Sequence, residues 1–191
     1  LDLEQIAYVR VDSDEPRVGF GALGVPSLDV ALLRVARTVA HTPQRDRAVA
    51  RFSGLGEHAA IWLALGARAS IVAPSEDRAR WRSATATVAG AYMANTAIKL
   101  AVRRRRPQLP GLPPLSSTPT QLSFPSAHAT SSFAAARVYS AAGAPALPLY
   151  ALASALAASR LYLGLHYPSD VLAGAALGSL IGALGAPPTP A

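Results

Sequence analysis

In the segment LHYPSD, His166 precedes Asp170 by four residues, a separation at which the carboxylate can accept from imidazole Nδ1. Such a bond fixes the tautomer and leaves Nε2 as a free nucleophile or base. Arg160, six residues ahead of that histidine, adds a planar fork suited to phosphate. In SFPSAHATS, Pro125 and Ser126 are helix-start residues, so the amides of Ala127 and His128 are expected to project from a helix N-terminus where an anion can dock. In KLAVRRRRP, Lys99 and Arg106 stand seven apart, two helical turns, and Arg103 is expected to share their face until Pro107 turns the chain out. Together these residue types offer anion binding with nucleophilic and acid–base chemistry.

Each cluster has a plainer use when taken alone. The cationic run fits a membrane-edge anchor on anionic lipid, or a nucleic-acid patch, better than it fits a clamp. Few aromatic residues are interleaved with it, so no nucleic-acid partner is expected. SFPSAHATS serves equally well as an ordinary helix cap. The His/Asp pair is of metal-ligand type, yet too few further ligands accompany it, and no metal is expected. Cysteine is absent from the chain, which excludes disulfides, thiolate metal sites and cysteine nucleophiles. The only lysine is Lys99.

The elements that must position these residues are oily. Of 191 residues 51% are hydrophobic and 15% charged, with a formal charge of +7, a composition for one basic domain. Five apolar stretches, 54–73, 84–102, 126–143, 145–163 and 168–186, approach the ~20 residues that a helix needs to cross a bilayer. The expected fold is all-α: a polytopic membrane bundle of about five transmembrane helices, with buried helices of a soluble bundle as the alternative. Residues 1–53 form an arm whose first twenty-six residues read as irregular. From Ser27 to Ala40 the arm places Leu28, Leu32, Val35 and Val39 on one side, the pattern of an amphipathic interfacial helix. No Lys/Arg-led leader with an A-x-A cleavage site is visible. Residues 54–186 are the expected catalytic unit.

Four charges sit inside or beside the apolar stretches: Glu57, Arg68, Arg137 and Arg160. Arg137 is expected ~16 Å along its helix from Ser126, near mid-membrane, where it must face protein or water, and no partner is assigned to it. Gly174, Gly178 and Gly182 recur at every fourth position, which either permits a homo-oligomer through close helix approach or reflects composition alone. Counting alternations along the spans brings the Lys99–Arg106, Ser126–His128, Arg160 and His166–Asp170 segments to one face, with Glu57 and His58 beside them. The excess of arginine on that face points to the cytoplasmic side of a multi-pass plasma-membrane protein.

Read as K-x6-RP at 99–107, PS-x-H at 125–128 and SR-x5-H-x3-D at 159–170, the clusters resemble in order, spacing and residue type the three-part signature of the type 2 phosphatidic acid phosphatase (PAP2) superfamily. LGEHAAIWL at 55–63 and HYPSDVLAG at 166–174 are similar to its actinobacterial members that dephosphorylate decaprenylphosphoryl-5-phosphoribose. The resemblance implies a lipid phosphatase with His166 as nucleophile, Asp170 orienting it and His128 as the acid that protonates the leaving group. Lys99, Arg106, Ser126, Ala127 and Arg160 would bind phosphate, without metal or cofactor. Ala127 replaces the usual glycine, and because the backbone amide makes the contact, function is expected to survive. Glu57, His58 and Arg103 are candidates for headgroup contacts, while Arg104 and Arg105 are expected to face lipid headgroups. Other implied substrates are polyprenyl diphosphate and phosphatidylglycerol phosphate or phosphatidate. A catalytically silent lipid-binding scaffold is the reading from a different class.

Overall fold

A computed structural model describes residues 27–187. The helices are α1 (Leu28–Thr38), α2 (Pro43–Gly54), α3 (Ala60–Val72), α4 (Ser75–Val102), α5 (Ala127–Ala141), α6 (Ala146–Tyr162) and α7 (Pro168–Leu184), with a 3₁₀ turn at Glu57–Ala59 before α3. The expected irregular arm at 1–26 lies outside the described residues. An all-helical fold is what the apolar stretches predict, and each of the five contains a helix. Their lengths are less uniform than the spans suggest. α3 has 13 residues and α5 has 15, whereas α4 runs for 28 because it starts through the charged Glu76–Arg82 turns. No helix among the described residues is long and apolar enough to cross a membrane.

α5 is the axis of the bundle, with buried residues all around it and α4, α6 and α7 packed against it. Small side chains make this possible, and at Gly178 the approach is closest: a Cβ there would lie 2.1 Å from the Thr130 carbonyl oxygen. Gly174 and Gly182 meet α5 in the same way, at Ser126 O and at Arg137 Cβ. The glycine stripe is therefore spent inside the chain, and the expected use of this face for a second copy is corrected. Within the core Trp62 Nε1 donates to Ser132 Oγ at 2.8 Å, and Tyr139 OH to Trp62 O at 2.8 Å.

Arg137 also differs from expectation. α5 ends at Ala141, so this arginine is one turn from a helix end rather than at mid-span, and its stem lies across Gly182 with the head exposed. α2 was not expected as a separate helix. Its cap is nonetheless regular, with Thr42 Oγ1 accepting from Arg45 N and Pro43 in the first turn. Ser27 caps α1, which packs against α6 and α7. It buries Leu33 and Arg37, leaving Leu28, Leu32, Val35 and Val39 exposed.

Candidate active site

Three chain segments converge at one end of α5. The first is the exit from α4. The helix stops at Val102 because Arg103 takes a left-handed φ of 54°. This corrects the expectation that one helical face carries Lys99, Arg103 and Arg106: Arg103 is exposed, with Nε on Leu100 O. An antiparallel bridge between Arg105 and Leu122, with Arg106 N bonded to Gln121 O at 3.0 Å, delivers Arg106 instead. Lys99 stays on α4, buried, with Nζ 3.3 Å from Leu122 O.

The second segment is the start of α5. Ser126 and His128 are buried in its first turn, and Ser126 N donates to Asp170 O at 3.0 Å, fastening this terminus to α7. Ser126 Oγ, Arg160 Nε and His166 Nδ1 are buried without a hydrogen-bond partner among the described residues. The third segment runs from Arg160 at the end of α6 to Asp170 in the first turn of α7. Tyr167 N donates to Asp170 Oδ2 at 2.9 Å, which orients the carboxylate from within its own turn.

Hydrogen-bond partners assign the two histidines opposite tautomers. Arg106 Nη1 lies 3.0 Å from His166 Nε2, and a guanidinium only donates, so that nitrogen carries a lone pair. The remaining proton is on Nδ1, facing Asp170 Oδ2 at 3.5 Å, longer than the bond expected from the spacing. His128 Nε2 lies 2.9 Å from the Ser53 carbonyl, which only accepts, so this nitrogen carries the proton. Arg160 Nη1 is 3.4 Å from the same nitrogen and bonds Ser53 Oγ at 2.6 Å. Burial, followed by the charges of Arg106, Arg160 and Lys99, holds the His166 imidazole well below the usual histidine range, with a Ser123 backbone bond opposing.

The remaining candidates divide. Burial lowers the Arg106 guanidinium, and the carboxylates of Asp170 and Glu57 oppose the shift, which puts Glu57 within electrostatic reach of the cluster. His58 is exposed and turns its Nδ1 to Tyr92 OH at 2.7 Å. It and Ala59 both have positive φ, 51° and 60°, in a turn that sets Gly56 against His128, where a Cβ would lie 2.7 Å from the ring. Arg103 and Arg105 border a cavity of about 1260 Å³ that opens beside Arg106, Gly164 and Leu165.

Two residues near the site were not singled out, and one was misassigned. Ser53, at the end of α2, takes bonds on Oγ from Arg160 and Ser159. Asp29 of α1 reaches Arg104 and Ser169. Arg104, expected to face lipid headgroups, instead bonds Asp170 Oδ1 at 2.8 Å and stacks on Tyr167. No local motif marks Ser53 or Asp29, since both act across more than a hundred residues of chain or through a partner that does.

Comparisons with known proteins give the family and the fold. Residues 80–187 match the family model of the PAP2 superfamily. Decaprenylphosphoryl-5-phosphoribose phosphatase of Mycobacterium tuberculosis is 45% identical over 132 residues, which cover 69% of this chain and 73% of that protein. The protein of the same name from Mycolicibacterium smegmatis is 43% identical over 150 residues, covering 76% and 80%. Among solved structures, Aquifex aeolicus LpxE aligns with a TM-score of 0.67 at 24% identity, covering 84% of this chain and 95% of that one. The transmembrane PAP2 type phosphatidylglycerolphosphate phosphatase of Bacillus subtilis aligns at 0.64 with 22% identity, covering 82% of each chain. At these identities the two structures establish the shared fold.

Proposed function

The chain belongs to the PAP2 superfamily, and from that premise we propose that it is a lipid phosphatase whose substrate is decaprenylphosphoryl-5-phosphoribose. The observation that carries the chemistry is the placement of the two Nε2 atoms: that of His166 3.0 Å from Arg106 Nη1, which suits a lone pair, and that of His128 2.9 Å from the Ser53 carbonyl with Arg160 beside it, which suits a proton. In this reading a phosphoryl group enters among Lys99, Arg106 and Arg160, with Ser126 and the Ala127 amide completing the ring of donors. His166 Nε2 attacks phosphorus, and the P–O bond to the sugar breaks as His128, charged as an imidazolium once the phosphate dianion is bound, delivers its Nε2 proton to the departing oxygen and is left neutral with a lone pair there. Water then attacks the phosphohistidine, His128 takes the water's proton, and inorganic phosphate leaves with His166 restored. Asp170 stabilises the cationic ring throughout.

The substrate assignment rests on the two mycobacterial relatives and on the arginine-bordered cavity beside Arg106, which has room for a headgroup. Glu57 and Arg103 are the residues we assign to headgroup contacts. We read 54–186 as the catalytic unit, held in a plasma membrane as a multi-pass protein with its site on the cytoplasmic side. Exposed Ile71, Val72, Met93, Leu100, Leu172, Leu180 and Leu184 on α3, α4 and α7 support contact with lipid. The apolar face of α1 supports an interfacial position for that helix.

The test is phosphate release by the detergent-extracted chain from a phosphoribosyl polyprenyl phosphate, a polyprenyl diphosphate and phosphatidylglycerol phosphate. Preference for the first, abolished in His166→Ala, is the expected result. Preference for either other lipid removes the substrate assignment, and activity that survives in His166→Ala removes the mechanism.

A further inference from the structure

We propose that Asp29 and Arg104 are positioning residues for the His166–Asp170 pair, so that helix α1, which lies outside the family-matched segment, is a working part of the site. The inference rests on the reading of His166 as nucleophile and goes beyond it.

Asp170 has no exposed side-chain surface, and each of its oxygens has an anchor. Oδ2 is held by Tyr167 N at 2.9 Å and faces His166 Nδ1, while Oδ1 accepts from Arg104 Nη1 at 2.8 Å. Two anchors at a right spacing stop the carboxylate from rotating away from the imidazole. Arg104 is fixed in turn. Its Nη2 donates to Asp29 Oδ2 at 2.9 Å, its Nη1 also reaches Ser169 Oγ at 2.7 Å, and its guanidinium carbon lies 4.1 Å from the Tyr167 ring centroid. Asp29 grips α7 as well, taking Ser169 N on Oδ1 at 2.9 Å and Ser169 Oγ on Oδ2. One carboxylate on α1 therefore ties the α4 exit to the first turn of α7.

The charges give the arrangement its purpose. Arg104 alone would neutralise Asp170 just where a negative charge must stabilise a cationic imidazole. With Asp29 present, two carboxylates share one guanidinium, and the excess charge remains available to His166. An exposed ion pair contributes little, but here one partner is fully buried, so breaking the contact leaves a carboxylate without half of its support. The Arg104 carbonyl also accepts from Ser123 N at 2.8 Å, so the segment that carries Arg104 is the one that presents Arg106.

The experiment uses the full chain in detergent with a phosphoribosyl polyprenyl phosphate, reading kcat and KM separately, with thermal melts to correct for folded fraction. Asp29→Asn is expected to lower kcat roughly tenfold with KM within about twofold, and Asp29→Glu to recover most of the loss. Asp29→Asn should slow the Arg104→Met variant by clearly less than it slows the wild type, because Asp29 acts mainly through Arg104 and otherwise through Ser169. Arg104→Lys keeps the charge but cannot fork between two carboxylates, and should lower kcat at least about threefold. An unchanged kcat in Asp29→Asn or Arg104→Lys, or losses that multiply in the double variant, overturns the inference. Should His166→Ala be inert while Asp29→Asn is fully active, the positioning role alone fails; should His166→Ala remain active, the reading beneath it fails too.

Discussion

Arg106 sits on the nitrogen of His166 that faces away from Asp170, its Nη1 3.0 Å from Nε2. The same guanidinium anchors itself on Leu165 O at 2.7 Å and Thr120 O at 2.8 Å, so only a small tilt of the whole planar group about these anchors would turn it from the imidazole toward an incoming phosphoryl oxygen. On the proposed mechanism, ligand entry would uncover the nucleophile and seat the cation on the developing charge in one movement. Arg106→Ala is expected to lower kcat/KM about a hundredfold to a thousandfold, the range for loss of one preorganised donor. Arg106→Lys should recover little of it, since an ammonium cannot bond the carbonyls and phosphate together. Phosphate release under kcat/KM conditions measures both.

The depressed pKa of His166 has a consequence for stability. Its folded-state value lies well below the ordinary histidine value, first through burial and then through Arg106, Arg160 and Lys99. Below about pH 6.5 the unfolded chain binds a proton at this ring that the folded chain refuses, so stability falls as pH drops through that point toward the folded value. Above about pH 7.5 both states are neutral here and the contribution is flat. The melting temperature should therefore drop between pH 7.5 and 5.5 by more in the wild type than in His166→Gln. Equal drops would show that the ring titrates normally in the folded chain.

Motif residues were legible because type and spacing alone identify them: His166, Asp170, His128, Lys99 and Arg106 all come to one end of the bundle by way of turns that proline marks, at Pro107, Pro125 and Pro168. Helices α5, α6 and α7 were legible for the same reason. The start of α4 was not, because Arg78, Arg80 and Arg82 read as a break although they lie on an exposed turn of a continuous helix. That Arg104 also turns inward was hidden as well. It depends on the left-handed stop at Arg103 and the Arg105–Leu122 bridge, a pairing between segments far apart in sequence. The glycine stripe showed that something packs closely on α7, but period alone does not distinguish α5 from a second copy.

That stripe offers a contrast within one chain. A Cβ at Gly178 meets the Thr130 carbonyl carbon and oxygen at 2.9 and 2.1 Å, backbone that cannot move without shifting α5, whereas nothing lies within 4 Å of a Cβ at Gly90 on exposed α4. Gly178→Ala should destabilise by about 1–3 kcal/mol or more. Gly90→Ala should be neutral or gain up to about 1 kcal/mol from helix propensity. Thermal melts in one detergent compare the two directly, and a similar shift in both would remove the α5–α7 seam as the cause.

Ser53 ties the acid half of the site to α2. Its Oγ receives Arg160 Nη1 at 2.6 Å and Ser159 Oγ at 2.9 Å, while its carbonyl, which no side-chain substitution removes, receives His128. Ser53→Ala should then slow turnover about tenfold by releasing Arg160, yet leave His128 in its tautomer. Retained dependence on leaving-group acidity in Ser53→Ala, measured across a series of phosphomonoesters, checks that the two effects separate.

His128 itself is tested by the leaving group. An alkoxide needs its proton as the P–O bond breaks, whereas 4-nitrophenolate is stable without one, so the acid matters for the first and little for the second. His128→Ala is expected to lose about a hundredfold or more on the lipid phosphomonoester. On 4-nitrophenyl phosphate the first step should survive and the second should stall, because the water that cleaves the phosphohistidine has lost its base. The signature is a burst of nitrophenolate equal to the amount of active chain, followed by slow turnover, with acid-labile phosphate accumulating on the protein. His166→Ala should give neither burst nor bound phosphate. Equal losses on both substrates without a burst would assign the proton to a group other than His128.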